Sequence, residues 1–441
     1  MTINNYSDID QEIVANNTSH SEAEKNLYHI CDNIGPRFVG TPGYLESAEY
    51  MAEVFRGYGL DKVELEEFPL MAWKRGDVAT LSIVSPMKRD IPCHELPYSG
   101  STPKGGVSAE VIDIGSGTKD DLDRLGDQLK GKLALCTGLS SHRSDIYQAC
   151  EARGAVGFLL SCPKPGGIFQ TGSIKYNEQG SIPGFSISNE STLLIQRLSA
   201  KGIALKLQIE SDSGCESDVT WNVVAEIRGT EFPDEWVVMG GHLDSHEISS
   251  GAFDNGAGAV LVTETARLLS SLKGQLKRSF RFILFSGEEV GLLGSHFHAE
   301  SHAEELKRAR FMLNADTPAS GFPKGLHFHA MPSAESYMNE LSKEMGEPLA
   351  FKSFFHSHSD HYPFVLQGLP TAGMGGGSEG PPMESWYHME ADTPDKVPFE
   401  SVNAGASFAA RFLLRASNEE SWPFGHRSEE EVKELVASLG H

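Results

Sequence analysis

Trp236-Val-Val-Met-Gly-Gly-His242-Leu-Asp244, Phe280-Arg-Phe-Ile-Leu-Phe285-Ser-Gly-Glu288-Glu289 and Phe311-Met-Leu-Asn-Ala-Asp316 are three apolar runs, each ending in imidazole or carboxylate side chains. Short apolar runs bounded by glycine and separated by helical patterns read as buried parallel strands. Ligands of open α/β sheets bind beyond the carboxyl ends of such strands, so the three polar endings are expected to converge in one site.

Two further segments add to that site. Ser250-Gly-Ala-Phe-Asp254-Asn255-Gly opens the amphipathic stretch Val260 to Leu272, which puts Asp254 at a helix start, and Trp386-Tyr387-His388 is followed by Asp392-Thr393. Singly, each piece has an ordinary reading: a His-x-Asp after a strand is usually a satisfied polar pair, and Glu-Glu at a strand end is usually a solvated helix start with favourable dipole placement. Together they supply two imidazoles, His242 and His388, and three carboxylates, Asp254, Glu289 and Asp316. Two divalent ions about 3.5–4 Å apart and sharing one carboxylate would use all five. Imidazole and carboxylate without thiolate suit zinc, with cobalt or manganese able to substitute.

The order His242-x-Asp244, Asp254-Asn255-Gly, Glu288-Glu289-x-Gly-x-x-Gly, Asn-x-Asp316, Ser359-Asp360-His361-x-Pro-Phe and Tyr387-His388 with Asp392-Thr393 resembles the dinuclear zinc exopeptidases, a group that includes bacterial leucyl aminopeptidases, aminopeptidase Y and carboxypeptidase Q. The likeness extends to Asp32-Asn-Ile-Gly-Pro-Arg37-Phe-Val-Gly-Thr-Pro-Gly43 and to Trp73-Lys-Arg-Gly76, where carboxypeptidase Q is the most similar branch. It implies Asp254 as the bridging ligand, His242 and Asp316 completing one zinc site, Glu289 and His388 the other, Glu288 as general acid/base, and Asp244 as the carboxylate that orients His242. Met389 stands where the family often has Thr or Ser after the last ligand histidine, a departure that bears on substrate contacts rather than on metal binding.

The chemistry also follows from the residues. Peptide hydrolysis at neutral pH needs a nucleophile, and divalent ions lower the pKa of water toward about 7. It also needs a carboxylate beside the coordination shell that takes the proton and hands it to the leaving amine, the position of Glu288. Tyr387 could donate to a tetrahedral oxyanion or be a buried aromatic with a satisfied hydroxyl. The expected activity is removal of terminal residues from peptides, an aminopeptidase first and a carboxypeptidase or dipeptidase as the alternative. A receptor-like scaffold on the same fold would have lost ligands or the base, and a glutaminyl-cyclase-like acyltransferase would hold one metal.

Length and composition set outer bounds. A chain of 441 residues exceeds one ordinary domain. The hydrophobic fraction of 39% is that of a globular protein, and a formal net charge of −24 argues against nucleic acid or an anionic membrane as partner. Met1 to Asp10 is polar and acidic, unlike a signal peptide, and six dispersed cysteines without a CxxC pair read as reduced. These features suggest a cytoplasmic protein, or a secreted one whose leader has been removed; the oligomeric state is open, a homodimer included.

The expected fold is an α/β/α sandwich on a mixed, mainly parallel sheet, built from residues 1–72 and 216–441, with a smaller β-rich unit inserted at 73–215. In that unit, Thr80–Val84, Ala109–Asp113, Lys132–Cys136 and Val156–Leu160 read as strands and Ile146–Arg153 and Ser191–Ser199 as helices. It resembles the protease-associated domain, which implies a lid or gating module, a passive insertion being the alternative. Arg37 is expected to be structural. His356-Ser-His358-Ser-Asp360-His361 reads as pocket lining, His296, His298 and His302 as solvated or capping residues, and Gly373–Gly380 as a flexible loop.

Overall fold

The computed structural model describes residues 6–319, 321–379 and 385–439. Its central sheet has eight strands in the spatial order Lys62–Lys74, Gly214–Ile227, Arg278–Phe285, Phe232–His242, Ala309–Asn314, Thr371–Glu379, Phe322–His329 and Ala350–Phe354. The middle four run parallel, and both antiparallel neighbours lie outside them. Along the core strands, alternate residues enter opposite layers. Val237, Met239, Phe280, Phe282, Phe311 and Leu313 face one layer of helices, whereas Val238, Ile283, Phe285 and Met312 face the other. Burial on both faces is why these strands read as nearly unbroken apolar runs.

The first face is covered by Ala257–Ser270, Phe399–Asn418 and Pro42–Gly57, and the second by Leu293–Ser301 and His361–Leu366. The architecture is therefore a mixed α/β/α sandwich. Among the described residues, no helix is long and apolar enough to cross a membrane. The six cysteines are all free, four of them buried.

Strands Lys62–Lys74 and Gly214–Ile227 pair antiparallel from Lys62↔Glu226 to Lys74↔Gly214, a ribbon that carries the chain out of the central sheet and back. Between its ends lies a second eight-stranded sheet, with Lys206–Ser211, Val107–Asp113, Leu133–Cys136, Gly157–Ser161 and Gly184–Ile187 at its centre. Helices Arg143–Ala152 and Asn189–Ser199 pack on it, and it has its own apolar cores.

The structure corrects one loop. Thr371–Glu379 is a strand between Ala309–Asn314 and Phe322–His329, so Gly373 to Gly377 are sheet residues rather than a flexible loop; Gly380 lies outside the described residues. Glycine is required by close packing there: a Cβ on Gly375 would stand 2.3 Å from the His327 ring. Helix Ser7–His20, whose apolar residues are few, has no strong sequence signal and is held through Asn17, which donates to the Asn403 carbonyl and Ser407.

Candidate metal centre

His242 is the last residue of its strand, and Glu288 and Glu289 follow Phe285 after a turn through Gly287, whose φ of +73° favours glycine. Gly241 lets the chain ending in His242 approach the loop after Asn314, since a Cβ there would stand 2.4 Å from the Ala315 carbonyl oxygen. Asp254 sits in the turn Ala252–Gly256 that precedes helix Ala257–Ser270. His388 comes from the loop before Phe399–Asn418. These elements bring His242, Asp254, Glu288, Glu289, Asp316 and His388 around one cavity of about 770 Å³.

Asp254 stands at the centre. Its Oδ1 is 3.3 Å from His242 Nε2 and its Oδ2 is 3.3 Å from His388 Nε2, so the carboxylate faces a different imidazole on each side. Asp316 Oδ1 lies 3.7 Å from His242 Nε2, and Glu289 Oε2 lies 3.2 Å from His388 Nε2. Charge-assisted hydrogen bonds are shorter, about 2.7–2.9 Å. By contrast, two donors on one tetrahedral zinc at about 2.0–2.1 Å stand roughly 3.3 Å apart. The observed spacing suits ligands around ions better than direct ion pairs. Glu289 Oε1 is buried without a hydrogen-bond partner, as an unfilled coordination position would be.

The flanking groups are held in turn. Asp244 accepts the backbone N–H groups of Glu288 and Glu289, both at 3.2 Å, and its Oδ1 lies 3.8 Å from His242 Nδ1, whose hydrogen-bond partner is instead the Asp244 carbonyl at 3.1 Å. The expected orienting carboxylate therefore fixes the glutamate turn more directly than the imidazole. Asp392 accepts the N–H groups of Phe253 and Asp254 at 2.8 and 3.0 Å. Asn255 donates to the Ala315 carbonyl and accepts from Thr317 N–H, tying the Asp254 turn to the Asp316 loop. Ser359 donates to Asp316 at 2.5 Å and accepts from Asn314.

Electrostatics follow from this crowding. Burial disfavours a charged His242, but Glu288, Asp254 and Asp316 overcome it and hold the ring well above the usual histidine range. Burial likewise opposes charge on His388, yet Glu289 and Asp254 raise it to about 9. Burial raises Glu288 well above the ordinary carboxyl value, and Asp244 to about 6. The donor set is one that divalent ions would neutralise.

One buried member lacked a sequence assignment. His246 Nε2 is 2.8 Å from Glu289 Oε2, out of hydrogen-bond alignment, and its ring meets that of His388 edge-on at 4.6 Å. Its spacing in His242-x-Asp244-x-His246 was the available signal, because alternate residues of an extended segment share a side. Tyr387, in contrast, is 47% exposed on the cavity rim, with its ring edge-on to His388. Arg37 is fully buried and donates to the carbonyls of Gly35, Leu243, Ser250 and Gly251, which makes it a clamp on the loop between His242 and Asp254. His298 is buried rather than solvated, bonded with His302 to Glu66. The His329 and His361 rings stack 3.5 Å apart at 14° in a pocket that Asp316 also lines, and with His356 they bring ring nitrogens within 4.8 Å of one another.

The second sheet also reaches this cavity. His142, Arg143, Gln170 and Tyr176 line it, and Thr171 N–H donates to the His388 carbonyl at 2.8 Å. Gln170 and Met389 form an antiparallel bridge, and Glu390 accepts the Phe169 N–H. Arg143 Nη1 is 3.1 Å from His388 Nδ1; a guanidinium only donates, so the contact is a hydrogen bond when the ring is neutral with its proton on Nε2, and a like-charge contact that opposes its protonation otherwise.

The chain is similar to known peptidases. Residues 222–413 match the model of peptidase family M28. Carboxypeptidase Q from Bos taurus is 29% identical over 96% of this chain and 91% of its own length. A peptidase M28 precursor from Shewanella amazonensis shares the fold, with a TM-score of 0.83 at 24% identity over 96% of this chain and 99% of that one. So does BSAP, a zinc aminopeptidase from Bacillus subtilis, with a TM-score of 0.72 at 24% identity over 90% and 95% of the two chains.

Proposed function

We propose, from the match of residues 222–413 to peptidase family M28, that this enzyme is a two-zinc exopeptidase whose base is Glu288. The observation that carries the reading is the Asp254 carboxylate, with one oxygen 3.3 Å from each of two imidazole nitrogens. Asp254 would be shared by two zinc positions, which His242 with Asp316 and Glu289 with His388 would complete. The zinc of the B. subtilis aminopeptidase of the same fold supports the choice of metal. Bound zinc would polarise the scissile carbonyl and make water nucleophilic at neutral pH.

The chain's own groups do the rest. Glu288 is pushed toward the protonated form by burial among Asp316, Glu289 and Asp360, so a carboxylate placed there takes up a proton readily and can return it to the leaving amine. Asp244 holds the turn that presents Glu288 and Glu289 side by side, and Asp392 holds the Asp254 turn. With zinc held at Nε2, His388 would carry its ring proton on Nδ1, where Arg143 could no longer donate to it. Tyr387, on the rim, can donate to substrate entering the cavity.

The test is hydrolysis of a dipeptide panel in free, amino-blocked and carboxyl-blocked forms, on metal-loaded and chelator-treated protein. Metal-dependent cleavage lost only on amino blocking is the aminopeptidase outcome. Loss only on carboxyl blocking makes it a carboxypeptidase, and loss with either block makes it a dipeptidase. No cleavage by zinc-loaded protein would refute the reading.

A further inference from the structure

Five histidines of the described residues are buried, and four of them have a hydrogen bond at a ring nitrogen. His242 meets the Asp244 carbonyl, His298 meets Glu66, His329 meets Thr371, and His361 meets the His356 carbonyl. The fifth, His246, is 2% exposed and has both ring nitrogens buried without a hydrogen-bond partner. Burying a polar ring in that way is costly, so the position calls for a reason.

Its packing does not account for an imidazole. The ring lies against Phe38, with centroids 6.3 Å apart at 26°, and Phe38 belongs to an apolar cluster with Trp73 and Val290. Nδ1 is 3.8 Å from Glu247 Oε2, beyond hydrogen-bond reach, and Glu247 is already held by Arg75 and Thr171. Nε2 is 2.8 Å from Glu289 Oε2 but out of line for a hydrogen bond. Two donors about 2.05 Å from one zinc ion stand that far apart when they subtend roughly 85–90°. His388 comes to the same oxygen, its Nε2 at 3.2 Å, and the two rings cross at 84° rather than stacking. One donor atom from each of His246, Glu289 and His388 lies within 4.8 Å of the other two.

We propose that His246 is a further ligand of the metal centre: with Asp254, Glu289 and His388 it gives one divalent ion four protein donors, while the ion at His242 and Asp316, sharing Asp254, has three. This rests on the two-zinc reading, and it makes the two positions unequal. Four protein donors close a tetrahedral zinc site, whereas three leave a place for water or substrate. Glu288 groups with His242 and Asp316, one donor atom of each within 4.8 Å of the others, so the proposed base stands at the position with fewer donors. The ion held through His246 is then the tighter one, and the ion beside Glu288 the more exchangeable.

The experiment loads the full chain with cobalt(II), which accepts the same imidazole and carboxylate donors as zinc and shifts the N–H protons of ligated imidazoles far outside the ordinary proton NMR range. Three exchangeable shifted resonances are expected in wild type and two in His246→Phe, which keeps a ring in the apolar pocket but has no nitrogen to offer. In parallel, competition with a chromophoric chelator reads the affinity of each zinc ion. The tighter one should weaken by more than about 100-fold in His246→Phe, beyond the 10- to 100-fold that loss of an outer hydrogen-bond partner of Glu289 would cost. Two resonances from wild type holding two cobalt ions, or a smaller loss of affinity in the variant, overturn the proposal and leave the two-zinc reading standing. A chain that binds no divalent ion overturns both. If His246→Phe does not fold, the resonance count of wild type decides alone.

Discussion

Asp244 accepts the Glu289 backbone N–H at 3.2 Å, and the same carboxylate accepts that of Glu288, so one buried side chain fixes the turn that carries both the proposed base and a proposed ligand. The consequence is a separation of roles between neighbouring residues. Glu288→Gln keeps the turn and the acceptor oxygen but cannot take up a proton. We expect turnover to fall on the order of 10²–10⁴ while zinc content by mass spectrometry is unchanged. Full turnover would remove Glu288 from the base role.

Asp254→Ala deletes the carboxylate that faces both imidazoles. Occupancy of both metal positions should drop together, read as zinc per chain after dialysis against a buffered zinc concentration. A variant still holding two ions would show that Asp254 is not the bridge.

Asp392 is not among the residues that line the cavity, yet it accepts the N–H groups of Phe253 and Asp254. Asp392→Ala should weaken zinc binding by about 10- to 100-fold, with a smaller effect on kcat at saturating zinc, because the ligand remains and only its support is lost. Competition with a chromophoric chelator measures this; an unchanged affinity would mean that the Asp254 turn is held by other bonds.

Glu66 lies away from the cavity and offers a pH test of stability. Burial pushes its carboxyl up, but bonds from His298, His302 and Asn222 overcome that and hold it well below the ordinary carboxyl value. The bond to Glu66 in turn raises His302 above the usual histidine value. For Glu66 the stabilisation is present above the unfolded value, near pH 4.3, and is lost as pH falls toward the folded one; for His302 it is present below about pH 6.5 and is lost as pH rises through its raised value. The pair thus contributes most between about pH 5 and 6.5. Glu66→Gln should cost about 1–2 kcal/mol there in urea unfolding, and less at either extreme. A pH-independent difference would contradict the ion pair.

Some of this was legible from residue order. The runs ending in His242, Glu288-Glu289 and Asp316 could be read as strands because burial on both faces makes them apolar throughout, and a parallel sheet puts their ends on one side. The strand at Thr371–Glu379 was not legible: its glycines carry no side-chain period, and only the crowding against His327 shows why they are there. Helix Ser7–His20 escaped for a related reason, its weak apolar stripe being supplemented by Asn17 bonding to residues some 390 positions away.

By itself, the sequence determined the sandwich layers, the six acidic and imidazole groups that gather in the cavity, and their order along the chain, because each is a local pattern of period and chemistry. Only the tertiary structure decided what those groups meet. Asp254 stands between two imidazoles, His246 lies against Glu289, Asp392 caps the Asp254 turn, and Arg143 reaches His388 across 245 residues of chain. Contacts of that kind leave no periodic trace in either partner, since a lone arginine at a helix start reads the same whether its charge faces water or a buried ring.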